Sequence, residues 1–262
     1  MKIKKITATL AISLIVNCSA HAATYLVGAS GPESRWESYL EATFTAESLG
    51  EIVYGTYLGG PPTAGAGDVV IMMGSVNSGK YDDGTETDDW NNLAAGLLNT
   101  SAYLVRNTRW DWMNTEVMST DELAAGAETF VKNSSSPLLA GVTVTNGMAN
   151  LFNDGVATGQ IANSDVGAGD MVLNHEDANG FAMLTSWSSG DAVPARTDES
   201  FGGDRIYFGM GAGVDSLTSD GELVLTNALE QLGLVVIPEP SSISMFALTI
   251  GVFVCRRRRS KS

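Results

Sequence analysis

Five acids crowd into eight positions of this chain, Asp82, Asp83, Glu86, Asp88 and Asp89, with Gly79 and Gly84 beside them. Hard cations take several carboxylate oxygens from a loop able to fold around them, so calcium is the chemistry this loop suggests. The spacing is not that of an EF-hand, and acids ahead of a helix also complement its N-terminal dipole, so both readings stand. His175, in Asn174-His175-Glu176-Asp177, is the one histidine outside the first 22 residues. A general base or a metal ligand needs companions in reach, and a solvated turn histidine is the better reading. Trp110 and Trp112 flank Asp111 and would share a face in extended backbone, as sugar-stacking aromatics do. Packing beneath a loop suits them better. There is no Gly-x-Ser-x-Gly elbow, and Gly209, Gly211 and Gly213 do not continue into dinucleotide spacing. No carboxylate pair for glycoside hydrolysis stands out among the many acids.

The elements that must position these residues alternate. Thr24 to Ala29 reads as a strand, followed by a helix from Glu33 to Leu49 that Gly50 closes. Ile52 to Leu58 is a second strand. Val69 to Met73 is apolar on both faces, which suits the middle of a covered parallel sheet. Asp88 or Asp89 is expected to cap a helix carrying Trp90, Leu93, Ala94, Leu97 and Leu98, with a short strand at Ala102 to Val105. Ser119 with Glu122 reads as a capping box for a helix through Phe130, and Val142 to Thr145 as a strand. Met171 to Asn174 and Phe181 to Trp187 flank Asn179-Gly180 and predict an antiparallel hairpin at one side. Arg205 to Met210 is a strand, and Ser219 with Glu222 opens a closing helix that ends at Gly233. The alternation argues an α/β fold, a mostly parallel sheet with helices on both faces. There is neither an internal repeat nor a linker to a second domain.

Both ends differ in composition from the body. Lys2, Lys4 and Lys5 precede an apolar run from Ile6 to Val16, and Ala20-His21-Ala22 supplies small residues where a signal peptidase reads. Residues 1–22 are therefore expected to be a secretory leader cut after Ala22. Cys18 lacks the small residues of a lipobox before it. At the other end, Pro238-Glu239-Pro240 cannot continue a helix or a sheet. An uncharged run through residues 241–255 follows, then Arg256, Arg257, Arg258 and Arg259 with Lys261 close behind. An apolar run closed by arginines is a membrane stop with its basic end on the cytoplasmic side. Its fifteen residues fall short of the roughly 20 that span a hydrocarbon core. Snorkelling arginines and local thinning cover the difference.

This tail, residues 238–262, resembles the PEP-CTERM sorting signal of Gram-negative bacteria: a Pro-Glu-Pro motif, one membrane helix and a terminal arginine patch. The resemblance implies export, anchoring in the inner membrane, and recognition of Pro238, Glu239 and Pro240 by an exosortase that cuts near the motif. The destination expected from it is the cell surface or an exopolysaccharide matrix. Residues 23–237 would then form an extracytoplasmic domain.

Of the fifteen Lys and Arg, three lie in the leader and five in the tail; of the thirty acids only Glu239 lies outside the body. The body thus carries about twenty-two net negative charges, which repel nucleic acid and anionic lipid and suit a soluble coat, divalent cations or basic partners. The chain's two cysteines, Cys18 and Cys255, are both in the end segments, so disulfides, thiolate metal sites and a cysteine nucleophile are excluded from the body.

The segment Ser136-Pro137-Leu138-Leu139-Ala140-Gly141 carries a second resemblance together with Arg205-Ile206-Tyr207-Phe208-Gly209, which leads through Leu217-Thr218-Ser219-Asp220-Gly221 into Asn227-Ala228-Leu229. These motifs look like the flavodoxin-like domains related to class I glutamine amidotransferases and the trehalose-utilisation family. The amidotransferase nucleophile is a cysteine, and the body has none. The leading expectation is a non-catalytic exported protein. The alternatives are a carbohydrate-active hydrolase working through carboxylates, and a calcium- or sugar-binding module using the loop at 82–89.

Overall fold

Val69, Val70, Ile71 and Met72 are all fully buried, and they form the strand around which the sheet is laid. The computed structural model describes residues 23–28, 34–82, 85–119, 128–153, 161–162, 165–175, 180–210 and 213–238. In chain order the strands and helices are β1 (Ala23–Val27), α1 (Ser34–Thr43), α2 (Ala46–Leu49), β2 (Glu51–Gly55), β3 (Val69–Met72), α3 (Glu86–Asn92), β4 (Gly96–Asn99), α4 (Ala102–Val105), β5 (Met118–Ser119), β6 (Thr129–Val131), β7 (Met148–Ala149), β8 (Ile161–Ala162), β9 (Asp170–Asn174), β10 (Ala182–Trp187), β11 (Ala192–Val193), β12 (Arg196–Ser200), β13 (Arg205–Phe208) and α5 (Ser219–Gln231).

The fold is mixed α/β on one large sheet, ordered β2-β1-β3-β4-β13-β10-β9-β6-β7. From β2 to β13 every neighbouring pair is parallel. From β13 onward the pairs are antiparallel, so the expected hairpin of β9 and β10 is the start of a wider antiparallel extension. Alternate residues feed two cores. Leu26, Val69, Ile71, Leu98, Ile206 and Phe208 meet α1 and α5 on one face. Val27, Val70, Met72, Leu97 and Tyr207 meet α3 and α4 on the other. Helices cover both faces, as a buried parallel strand without alternation requires.

Several boundaries differ from the sequence reading. The helix expected over 33–49 breaks at Phe44, because Thr45 starts a second helix by accepting from the Ser48 N–H. Leu97 and Leu98 belong to β4 rather than to the helix of Trp90; one fills each core, and a short apolar run fits either period. Ala102–Val105 is one helical turn, not a strand. Phe130 lies in β6 rather than at a helix end, and residues 120–127 of that expected helix lie outside the described residues. Val142 to Val144 are irregular and Thr145 makes only an isolated antiparallel bridge to Met148, where β7 begins. Thr218, not Ser219, caps α5, its hydroxyl accepting from the Gly221 N–H at 3.2 Å. Pro137–Leu139 forms a short 3-10 turn against α5, and the Asn227 amide clamps it by donating to the carbonyls of Leu138 and Ala140.

The leader (1–22), Glu239, Pro240, the apolar run 241–255 and Arg256 to Arg259 lie outside the described residues. Among the described residues no helix is long and apolar enough to cross a membrane.

Candidate functional site

Open α/β sheets hold ligands at the carboxyl ends of their strands, where the order reverses. Here that reversal lies between β1 and β3, with Gly28 beside Met73 and Ser75: a β-carbon on Gly28 would stand 2.2 Å from Met73 Cε and 3.8 Å from Ser75 Oγ. The same edge carries the turn after β4. Asn99 Oδ1 accepts from the Ser101 N–H at 2.8 Å, and the Thr100 hydroxyl donates to the Met72 carbonyl at 3.0 Å, which steers the chain directly into α4. Asn99, Thr100 and Ser101 are all buried.

His175 follows β9, which runs parallel to β13 through two antiparallel steps, so it too lies at the carboxyl edge. It is half-buried, and its backbone N–H donates to the Phe181 carbonyl at 2.9 Å. Three strand spacings separate β4 from β9, roughly 14 Å at the usual interval. Proton transfer from a serine to a histidine needs hydrogen-bond contact, so Ser101 and His175 are not built as a nucleophile and its base.

The acidic loop is placed at this end as well, since it joins β3 to α3. Its acids disperse. Asp82 pairs with Arg109 at 2.7 Å, and Asp88 pairs with Arg196. Glu86 is half-buried and Asp89 exposed, both in the first turn of α3, which starts after Thr85 so that neither Asp88 nor Asp89 is its cap, and Asp83 lies outside the described residues. Among the described residues no three of His, Cys, Asp and Glu come together in a group that could hold a metal ion.

Arg196 is the centre that the sequence reading missed. It reaches Asp88 on α3, Asp111 after α4, and Glu199 on its own strand at 2.9 Å. Burial raises the Asp111 carboxyl above its ordinary value, and the Arg196 guanidinium opposes that rise. Asp111 also has φ of +63°, a left-handed backbone that aspartate tolerates better than most residues. That twist turns Trp110 and Trp112 inward: both are fully buried. Trp90 stacks on Trp110 at 5.0 Å, Trp110 lies 5.5 Å from Trp112, and Trp112 meets Trp187 and Phe201 edge-on. Trp112 Nε1 donates to Asn91 Oδ1, and Trp110 Nε1 to the Tyr81 carbonyl, both at 2.9 Å. These rings are a core under the 82–113 connection; their faces are not offered to a sugar.

In the sequence Arg205 opens a strand and the motif that carries the second resemblance, with no sign of a buried charge. It is fully buried and donates to the carbonyls of Ala95, Trp90, Asn91, Leu93 and Asp204. Most of these carbonyls end α3, where the helix dipole favours a cation. No local signal marks such a residue, because every partner but Asp204 lies more than a hundred positions away. In comparisons with protein families, curated proteins and solved structures, nothing matches this chain.

Proposed function

We propose that this chain is an exported protein, sorted through the exosortase route to the cell surface or an exopolysaccharide matrix, whose α/β body is not catalytic. The observation that carries the reading is the tail: Pro238-Glu239-Pro240, the uncharged run 241–255 and four consecutive arginines, in that order. The geometry of the body supports it. Ile237 N–H donates to the Thr43 carbonyl at 2.9 Å and Thr45 N–H to the Val235 carbonyl at 2.8 Å, so the body is held up to Ile237 and Pro238 is exposed directly after it. These contacts, at the end of α1, are on the amino edge of the sheet, where Ala23 also stands opposite Glu51. A membrane anchor there leaves the carboxyl edge facing away from the bilayer. The separation of Ser101 from His175 and the pairing of Asp82 and Asp88 with arginines support a body without turnover. The parallel order β2-β1-β3-β4-β13 supports reading that body as flavodoxin-like.

The test compares the wild-type chain with one carrying Pro238→Ala, Glu239→Ala and Pro240→Ala in a cell that has an exosortase. Intact mass and fractionation should show the wild type losing leader and tail and leaving the membrane, with the triple variant keeping its tail. Equal tail retention in both chains overturns the sorting role. Rapid turnover of a panel of glycosides or esters by the purified chain overturns the non-catalytic one.

A further inference from the structure

Asp68 is the residue before β3, at the amino edge of the sheet, and only 6% of it is exposed. Its carboxylate accepts two amide hydrogens, Oδ1 from Ala23 at 2.9 Å and Oδ2 from Gly65 at 2.7 Å. Among the described residues no cationic side chain pairs with it. A buried carboxylate is costly unless an opposite charge or several good donors meet it, and two neutral N–H groups meet only part of that cost.

Ala23 is also the residue that follows the expected leader boundary. Hydrolysis of the Ala22–Ala23 bond adds water across it: Ala22 leaves with a carboxylate, and the Ala23 nitrogen takes up a proton to become an ammonium. That nitrogen already lies 2.9 Å from Asp68 Oδ1. We propose that Asp68 is the receptor for the α-ammonium created when the leader is removed, so that maturation replaces a neutral amide donor with a cationic one and turns the hydrogen bond into a buried ion pair. The inference rests on the export reading above. Its consequence falls on β1, which pairs with both β2 and β3 and sends Leu26 and Val27 into the two cores. Export would thus tighten the centre of the sheet only once the leader is gone.

The charged and titratable groups at this edge favour a cation. Glu51 stands opposite Ala23 on β2, Glu47 lies on α2, and Tyr25 two residues along β1 is raised by burial, then by Asp68 and Glu51. An ammonium held by Asp68 titrates above the ordinary range of about 7.7–8.0 for an α-amine. Because its folded value is raised, the stability it contributes is complete below that range and is lost as pH rises through the folded value.

The experiment uses the chain from Ala23 to Ser262 in one detergent, released from a fusion so that Ala23 is the first residue. A second chain keeps Ala22 ahead of Ala23, and both are also made with Asp68→Asn. The pH profile of α-amine acetylation gives the amine's titration, and thermal unfolding is followed from pH 6 to 11. The chain beginning at Ala23 should show a raised amine value and a Tm about 2–4 °C above the extended chain near pH 6.5, with the gap closing toward pH 11. Asp68→Asn should return the amine to its ordinary range and abolish the gap. An ordinary amine value with Asp68 present, or a gap that survives Asp68→Asn, overturns the proposal. If Asp68→Asn does not fold, the amine titration and the comparison with the extended chain decide it. Intact mass of the exported chain separates the two readings: a first residue other than Ala23 overturns the cleavage reading and the maturation role, whereas the chain made to begin at Ala23 still tests the ion pair.

Discussion

The Arg205 guanidinium donates to the carbonyl oxygen of Leu93 at 2.6 Å, joining the start of β13 to the chain just past α3 across 112 positions. The same connection is pressed from the other side by two glycines: a β-carbon on Gly202 would stand 2.1 Å from the Asn92 carbonyl oxygen, and one on Gly203 2.5 Å from that of Ala95. Arg205→Met keeps much of the volume but leaves several buried carbonyls without a donor, which costs about 3–5 kcal/mol. Arg205→Lys keeps the charge and loses the planar fork, so it should cost less, about 1–3 kcal/mol. Gly202→Ala should destabilise as well, since backbone rather than a flexible side chain blocks the added carbon. Urea unfolding midpoints at unchanged slope check the order Met worse than Lys.

Arg196 and Asp111 form the next test. The pair is half-buried on the arginine side and nearly closed on the aspartate side, so it is screened less than a surface bridge. Arg196→Gln should cost about 1–3 kcal/mol and Asp111→Asn somewhat less, with a coupling of about 1 kcal/mol in the double-mutant cycle. Additive single effects would show that Asp88 and Glu199 hold Arg196 without help from Asp111. Without Arg196 the burial that raises the Asp111 carboxyl acts unopposed. A raised carboxyl makes the folded state bind its proton more tightly than the unfolded chain, so stability of Arg196→Gln should fall as pH rises from 4 toward 7.

How far such features can be read from the sequence depends on the range of the contacts. The strand at Val69 was legible because four consecutive apolar residues need cover on both faces, and α5 because its apolar stripe and cap are local. Leu97 and Leu98 were misread because a run of six small and apolar residues satisfies both helical and strand spacing. Position in the sheet then decided, as β4 fills the gap between β3 and β13. The acidic loop was legible as a cluster of charge, but its fate was not. Asp88 meets Arg196 across 108 positions and Asp82 meets Arg109 from the far side of α3, β4 and α4, and no periodicity encodes either pairing. Asp68 was one acid among twenty-nine in the body until β1 and β3 were seen side by side.

Trp90, Trp110, Trp112 and Trp187 are each at most 1% exposed, which makes their fluorescence a direct reading of this core. Emission should be blue-shifted and resist iodide quenching, and soluble glycans should leave it unchanged. Trp112→Phe retains ring contacts with Trp187 and Phe201 but leaves Asn91 Oδ1 without its donor, a loss of about 1–2 kcal/mol. Trp112→Ala opens a cavity beneath the Asp111 turn and should cost about 3–5 kcal/mol. Ready iodide quenching in the folded protein would mean that the rings are reachable from solvent, contrary to this packing.

Tyrosine ionisation sets an alkaline limit. Burial pushes the Tyr54 phenol up to about 12, helped by its hydrogen bond to Glu37 at 3.0 Å. Tyr39 is raised further by burial beneath α5, and Tyr25, Tyr57 and Tyr81 are raised chiefly by burial as well. In the unfolded chain these phenols lose their protons near pH 10. Above that pH the unfolded state gains charged, solvated phenolates while the folded state keeps its protons, so the stability these groups contribute below pH 10 is lost as pH rises toward 12. Absorbance at 295 nm should therefore rise in step with loss of the circular dichroism signal rather than ahead of it. Tyr54→Phe removes one such group and should make the loss of stability between pH 10 and 12 shallower. If all the tyrosines titrate near pH 10 while the fold persists, the phenols are not held in the surroundings described for them.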